Sequence, residues 1–227
     1  MDLYGTDLEY MERLSYFLSH DVASYRKELL DDQSKYLCVL ASLIGCQGVD
    51  AYKEVLIDAL EHKVTPVMIK EIVYQATDYV GYGRMLPFLN ATNDVFVSLS
   101  ISIPLCSQAT TTIENRLEKG IEAQVKIFGE HMKDAWKDSK INQFLASNCF
   151  GDYYTRNGLT LVQREQITFC YLMAQGGCEP QLIAHAKGNM NLGTSAEVLN
   201  EIVLQCLPYV GYPRSLNALS CIKKAEN

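Results

Sequence analysis

The segment Glu71 to Leu89 returns as Glu201 to Leu219, identical at 11 of 19 positions without a gap. Tyr79-Val80-Gly81-Tyr82 stands against Tyr209-Val210-Gly211-Tyr212, and Arg84 against Arg214. Shared helical composition does not produce an ungapped match of that length, so the chain is read as one unit written twice. This constrains the fold more than any other feature. A short helical unit cannot cover its own apolar face, so the two copies are expected to bury one face against each other.

Within each copy, glycine and proline punctuate segments of helical period, and no strand-like alternation is sustained. The nearest exception, Val95 to Leu105, is Ser-rich, contains Pro104 and reads as an extended connector. Thr160 to Gln163 and Thr194 to Glu197 have capping-box form, and Thr65-Pro66 puts proline where a first helical turn tolerates it. The predicted fold class is therefore all-α. An amphipathic helix around Asp7 to Leu18 precedes the first copy, and Gly81 and Gly211 break a helix in each. The expected organisation is a first unit over residues 1–97, a linker over 98–112 and a second unit over 113–227. The second is longer because Ile113 to Asn148 adds helices before the repeat resumes.

At 227 residues, 48% apolar and 21% charged, the composition suits a globular protein with a sizeable core. A net charge of −7 with scattered Lys and Arg argues against nucleic acid as a partner. No apolar run reaches the length of a membrane span, and Met1-Asp2-Leu3-Tyr4-Gly5 lacks a basic segment leading into an apolar one. The expected location is the cytoplasm, without membrane association. There, the 8 cysteines are expected to be reduced thiols, mostly small buried packing residues. None forms a CxxC pair and the 4 histidines do not cluster with them, so no metal site is expected.

The copies still align upstream of the shared segment once a two-residue length difference is allowed, with Cys38 against Cys170 and Gly45-Cys46 against Gly177-Cys178. Their flanks differ in kind. Glu165 stands 13 residues before Cys178, where the first copy has Gln33, and His185 stands 7 after it, where the first copy has Lys53. Only the second copy holds an acid, a thiol and an imidazole together. Gly176-Gly177 ends one helix and Pro180 suits the start of the next, so Cys178 is expected at a helix N-terminus, where the dipole lowers a thiol pKa. His185 lies on the same face but about 10 Å along the axis, so the two line one cleft without touching. Glu165, one helix earlier, can fix the imidazole tautomer. Taken singly, each of these residues is more often structural. The joint asymmetry favours a site.

Gly177-Cys178-Glu179-Pro180-Gln181-Leu182, His185 and Gly211-Tyr212-Pro213-Arg214-Ser215-Leu216-Asn217-Ala218 resemble the carboxymuconolactone decarboxylase family. Phe150 to Leu159 and Gly120 to Gly129 fit its upstream signature. The resemblance implies an alkyl hydroperoxidase D-like helical bundle and a ring-like homo-oligomer, a trimer for a tandem chain. Its hydroperoxidase branch uses two cysteines, and Gln181 stands where the second would be, so the residues side with the decarboxylase branch. That branch implies cofactor-free decarboxylation of a small carboxylated lactone. On this reading His185 is the proton donor, Glu165 orients it and Cys178 lines the pocket. Gln181, Arg156 and Arg214 are candidate substrate contacts, since a guanidinium grips a carboxylate bidentately. Either arginine serves equally as a surface or inter-copy ion-pair residue, and for Arg214 that is the favoured role, because Arg84 persists where the site does not. A thiol-dependent hydroperoxide reductase using Cys178 alone, and a non-catalytic oligomeric binding protein, are the competing readings.

Overall fold

The computed structural model describes residues 3–25 and 29–227. Its helices are α1 (Leu3–Thr6), α2 (Leu8–Tyr16), α3 (Asp32–Gly45), α4 (Val49–Glu61), α5 (Pro66–Val80) and α6 (Tyr82–Ser98), then α7 (Arg116–Phe128), α8 (Lys140–Phe144), α9 (Leu161–Gln175), α10 (Glu179–Asn191), α11 (Ala196–Val210) and α12 (Tyr212–Glu226). Phe17–Val22 and Leu145–Tyr154 are wound as wider π-helical segments. No strand occurs among the described residues, and the fold is all-α. No helix among them is long and apolar enough to cross a membrane.

Helices α3 to α6 and α9 to α12 run in the same order with matching breaks. Helices α4 and α10 have 13 residues each, and α5 and α11 have 15 each. Gly81 at φ 82° and Gly211 at φ 80° end the latter pair in a conformation that side chains resist. Three of these helices open on hydroxyl caps: Thr65, Thr160 and Ser195 accept from Met68 N, Gln163 N and Val198 N. Thr160 and Gln163 form a complete capping box. In α11 the cap is one residue later than the sequence pattern suggests, on Ser195. The Thr194 hydroxyl is buried without a hydrogen-bond partner.

The connector also starts later than expected. Val95 to Ser98 continue α6, because Val95 and Phe96 are buried on its core face, and packing overrides the local alternation. Irregular chain follows from Leu99.

One contiguous core contains Leu40 and Ile44 of α3, Ile72 of α5, Phe169 and Cys170 of α9 and Ile202 and Cys206 of α11. Both halves therefore contribute to the same apolar interior. Polar contacts tie them further. Glu71 of α5, buried at 1% side-chain exposure, pairs with Arg156 at 2.9 Å and Arg164 at 3.0 Å. Gln75 donates to Thr168 Oγ1 at 2.9 Å and accepts from Arg164 at 2.8 Å. All eight cysteines are free thiols.

A smaller cluster of Ile127, Cys149, Phe150 and Tyr154 joins α7 to the π-helical segment Leu145–Tyr154. The two run close enough that a Cβ on Gly120 would lie 1.7 Å from the Ala146 carbonyl oxygen. This packing fixes the wall on which the candidate site is built.

Candidate active site

Helix α9 carries Glu165 fully buried, and α10 brings His185 Nδ1 to 2.9 Å from Glu165 Oε2. The other carboxyl oxygen, Oε1, accepts from the Tyr154 hydroxyl at 2.7 Å. That hydroxyl also lies 2.8 Å from Tyr79 Oη and 2.6 Å from Thr168 Oγ1. Asn189 Nδ2 donates to the backbone oxygens of both Glu165 and His185, each at 2.9 Å, and so pins α10 to α9. Gly188 makes the approach possible, since a Cβ there would sit 2.9 Å from Glu165 Oε2 and 2.8 Å from Ile127 Cγ2. The imidazole meets Tyr79 and Phe128 edge-to-face, with centroids 5.7 and 5.3 Å away.

His185 opens on a cavity of about 580 Å³, within the usual range for a small-molecule site. Tyr79, Phe128, Met132, Leu145, Phe150 and Leu172 make it largely apolar. Asp78, Gln124, His131, Gln175, Cys178 and Gln181 add polar groups, and among the described residues no Lys or Arg lines it. Cys178 and His185 share this cavity. Among the described residues, no three His, Cys, Asp or Glu side chains are grouped as a metal would need.

Cys178 is the N-cap residue of α10, but its side chain makes no cap hydrogen bond. Its Sγ donates to the Leu172 carbonyl at 3.4 Å and lies 3.9 Å from Gln175 Nε2. The expectation of a lowered thiol pKa is corrected here. Burial raises it, outweighing the opposing Gln175 contact and the charge of Arg214.

Neither candidate arginine lines the cavity. Arg156 is held by Glu71 through Nε and Nη2, both at 2.9 Å, and lies over the Tyr74 ring. It borders a separate space of about 390 Å³ with Lys70 and Tyr153. Arg214 lays its guanidinium against Gly176, where a Cβ would meet Nη1 at 1.2 Å. Arg84, which aligns with it in sequence, donates to Gln175 Oε1 at 3.4 Å from the exposed side.

The cavity also contains groups that reading the sequence missed. Tyr79, Gln124 and His131 carried no distinguishing signal, nor did Tyr154, which bonds Glu165 without lining the cavity. Asp78 did carry one, because Pro208 aligns with it in the match between 71–89 and 201–219. Burial pushes the Asp78 carboxyl up to about 8, against a hydrogen bond from Cys149 and aided by the charge of Asp152. Its Oδ2 is shielded from solvent and makes no hydrogen bond.

Residues 140–224 match the sequence model of the carboxymuconolactone decarboxylase family. The 4-carboxymuconolactone decarboxylase of Acinetobacter baylyi (strain ATCC 33305 / BD413 / ADP1) is 30% identical over 112 residues, covering 47% of this chain and 83% of that relative. The chain belongs to the carboxymuconolactone decarboxylase family. Glu165, Cys178 and His185 of this family member lie within the matched segment. Asp78 and Tyr79 lie outside it, so the cavity is composed from both halves of the chain.

Proposed function

We propose that this chain is a carboxy-lyase that decarboxylates a small carboxylated lactone without a resident metal or organic cofactor. The observation that carries this reading is a histidine held at Nδ1 by a buried carboxyl group beside an apolar cavity of about 580 Å³. With Nδ1 engaged by Glu165, Nε2 is the nitrogen available to a ligand. The relative's name supplies the substrate class.

The chemistry balances with these residues alone. The bond between ring carbon and carboxylate breaks heterolytically, carbon dioxide departs, and the electron pair delocalises onto the lactone oxygen. Protonated His185 then delivers its Nε2 proton to ring carbon and is reprotonated from water. Glu165 stabilises the imidazolium, while the carboxamides of Gln124, Gln175 and Gln181 offer N–H donors to the developing oxyanion. Cys178 lines the pocket. A peroxidase reading needs an accessible thiolate, which the raised Cys178 pKa disfavours.

The test is release of carbon dioxide from carboxylated lactones. Wild type is expected to turn over, and His185→Gln to lose about 100-fold or more in kcat with an unchanged circular dichroism spectrum. Wild-type rates in that variant end the proton-donor role. Hydroperoxide consumption with an external thiol, abolished in Cys178→Ser, returns the chain to the peroxidases. Ligand binding without any turnover favours the binding-protein reading.

The same proposal includes the duplicated organisation, with units over 1–97 and 113–227, and assembly as a trimeric ring. Light scattering should give three times the 25.5 kDa chain mass. A monomer removes the ring.

A further inference from the structure

We propose that Asp78 grips the bound molecule as a neutral carboxylic acid, donating a hydrogen bond to a carboxylate of the ligand. Anion binding then fails when Asp78 ionises. The inference takes the cavity from the reading above but does not depend on its reaction.

The charge inventory of the cavity leads to this assignment. Among the described residues, a carboxylated ligand entering it meets no lysine or arginine on the lining. Arg156 is spent on Glu71, Arg214 lies against Gly176, and Arg84 stops at the outer side of Gln175. The grip must therefore come from imidazoles and neutral donors. An ionised Asp78 would repel the ligand, whereas a protonated one adds an O–H donor.

The geometry of Asp78 fits that role. It sits half-buried in the last turn of α5, on the same cavity as His185, with Oδ2 shielded from solvent. With Oδ2 closed off, Oδ1 is the oxygen left to offer the acid's O–H to a carboxylate oxygen of the ligand. The repeat comparison points the same way, since the equivalent Pro208 has neither donor nor charge. Burial holds the acid protonated up to about pH 8. Apolar sites elsewhere keep carboxylic acids neutral for the same purpose.

Other titratable groups surround it. Tyr79 follows it on α5, Cys149, Asp152 and Tyr153 face it from the π-helical segment, and Tyr171 faces it from α9. Cys178, His131 and His185 share the cavity. Burial raises Tyr79, Cys149, Tyr153, Tyr171 and Cys178 above their ordinary ranges, so they keep their protons where Asp78 loses its own. Asp152 and the two histidines are present in wild type and variants alike.

The probe is 2-furoate, a planar five-membered ring bearing one carboxylate, titrated calorimetrically into the full chain between about pH 6 and about pH 9.5. Wild-type affinity is expected to hold at the acid end and fall about tenfold per pH unit above about pH 8. Asp78→Asn keeps a donor and cannot ionise, so its affinity should stay level across the range. Asp78→Ala should bind about tenfold more weakly than wild type at the acid end. Wild type alone supplies a second readout. Near the alkaline end, buffers of different ionisation enthalpy should reveal uptake of close to one proton on binding.

Wild-type binding without pH dependence, an alkaline loss retained in Asp78→Asn, or no furoate binding at any pH each overturns the proposal. Carbon dioxide release decides the lyase reading separately. Decarboxylation with level furoate binding sinks the role of Asp78 alone, and Asp78-dependent furoate binding without decarboxylation sinks the lyase alone.

Discussion

Tyr154 places one hydroxyl within 2.8 Å of Glu165, Tyr79 and Thr168, so a single oxygen joins three buried groups behind His185. Removing it leaves Glu165 Oε1 buried without that donor. Tyr154→Phe is expected to lower stability by about 1–3 kcal/mol in urea denaturation and to slow any lyase turnover with it. Gly188→Ala acts on the other carboxyl oxygen, because its methyl would stand 2.9 Å from Oε2. That variant should lose activity more than stability, measured as kcat beside the thermal midpoint. Asp78 adds a pH effect. Its folded-state pKa of about 8 exceeds the ordinary 3.8, so the folded protein retains a proton that the unfolded chain releases between those values. Its contribution is fully present at acid pH and is lost as pH rises through about 8. Asp78→Asn should therefore be more stable than wild type above about pH 8, with the gain vanishing near pH 4. Denaturation midpoints at both ends check this. At this scale Glu165 and His185 stood out in the sequence, because the aligned positions hold Gln33 and Lys53. The state of Cys178 was not, since its Sγ turns toward the Leu172 carbonyl, a choice of rotamer and packing.

At the scale of elements, helix boundaries follow from local chemistry wherever a hydroxyl cap or a glycine break is strong. Thr65, Thr160, Gly81 and Gly211 mark them in the sequence and in the structure alike. Where burial competes, local signals fail, as at Val95 and Thr194, both drawn into the interior. The contact between α7 and the π-helical segment is of this second kind. It depends on the absence of a side chain at Gly120, where the Ala146 carbonyl oxygen occupies the space. Gly120→Ala must push α7 outward, and with it Gln124 and Phe128 of the cavity wall. We expect a loss of about 1–3 kcal/mol and weakened ligand binding, read by urea denaturation and calorimetry.

For the whole molecule, the shared core and the Glu71 pairs make the halves interdependent. Glu71→Ala leaves Arg164 buried without its counter-charge, and a loss of about 3–5 kcal/mol is expected in chemical denaturation. A fragment of residues 113–227 should lack cooperative unfolding, because Ile72, Leu40 and Ile44 cover its α9 surface in the full chain. A sharp thermal transition in that fragment would contradict this. The sequence by itself determined the helical class and singled out Glu165, Cys178 and His185, of which Glu165 bonds His185 and Cys178 shares its cavity. Periodicity, caps and differences between copies are local properties that survive without coordinates. Only the tertiary structure decided which charges reach the cavity. It turned Arg156 to Glu71 and Arg214 to Gly176, and it brought Asp78 and Tyr79 from the other half to the histidine. Such pairings depend on which side chains lose water together, and residues distant in sequence reach that point only when the common core closes.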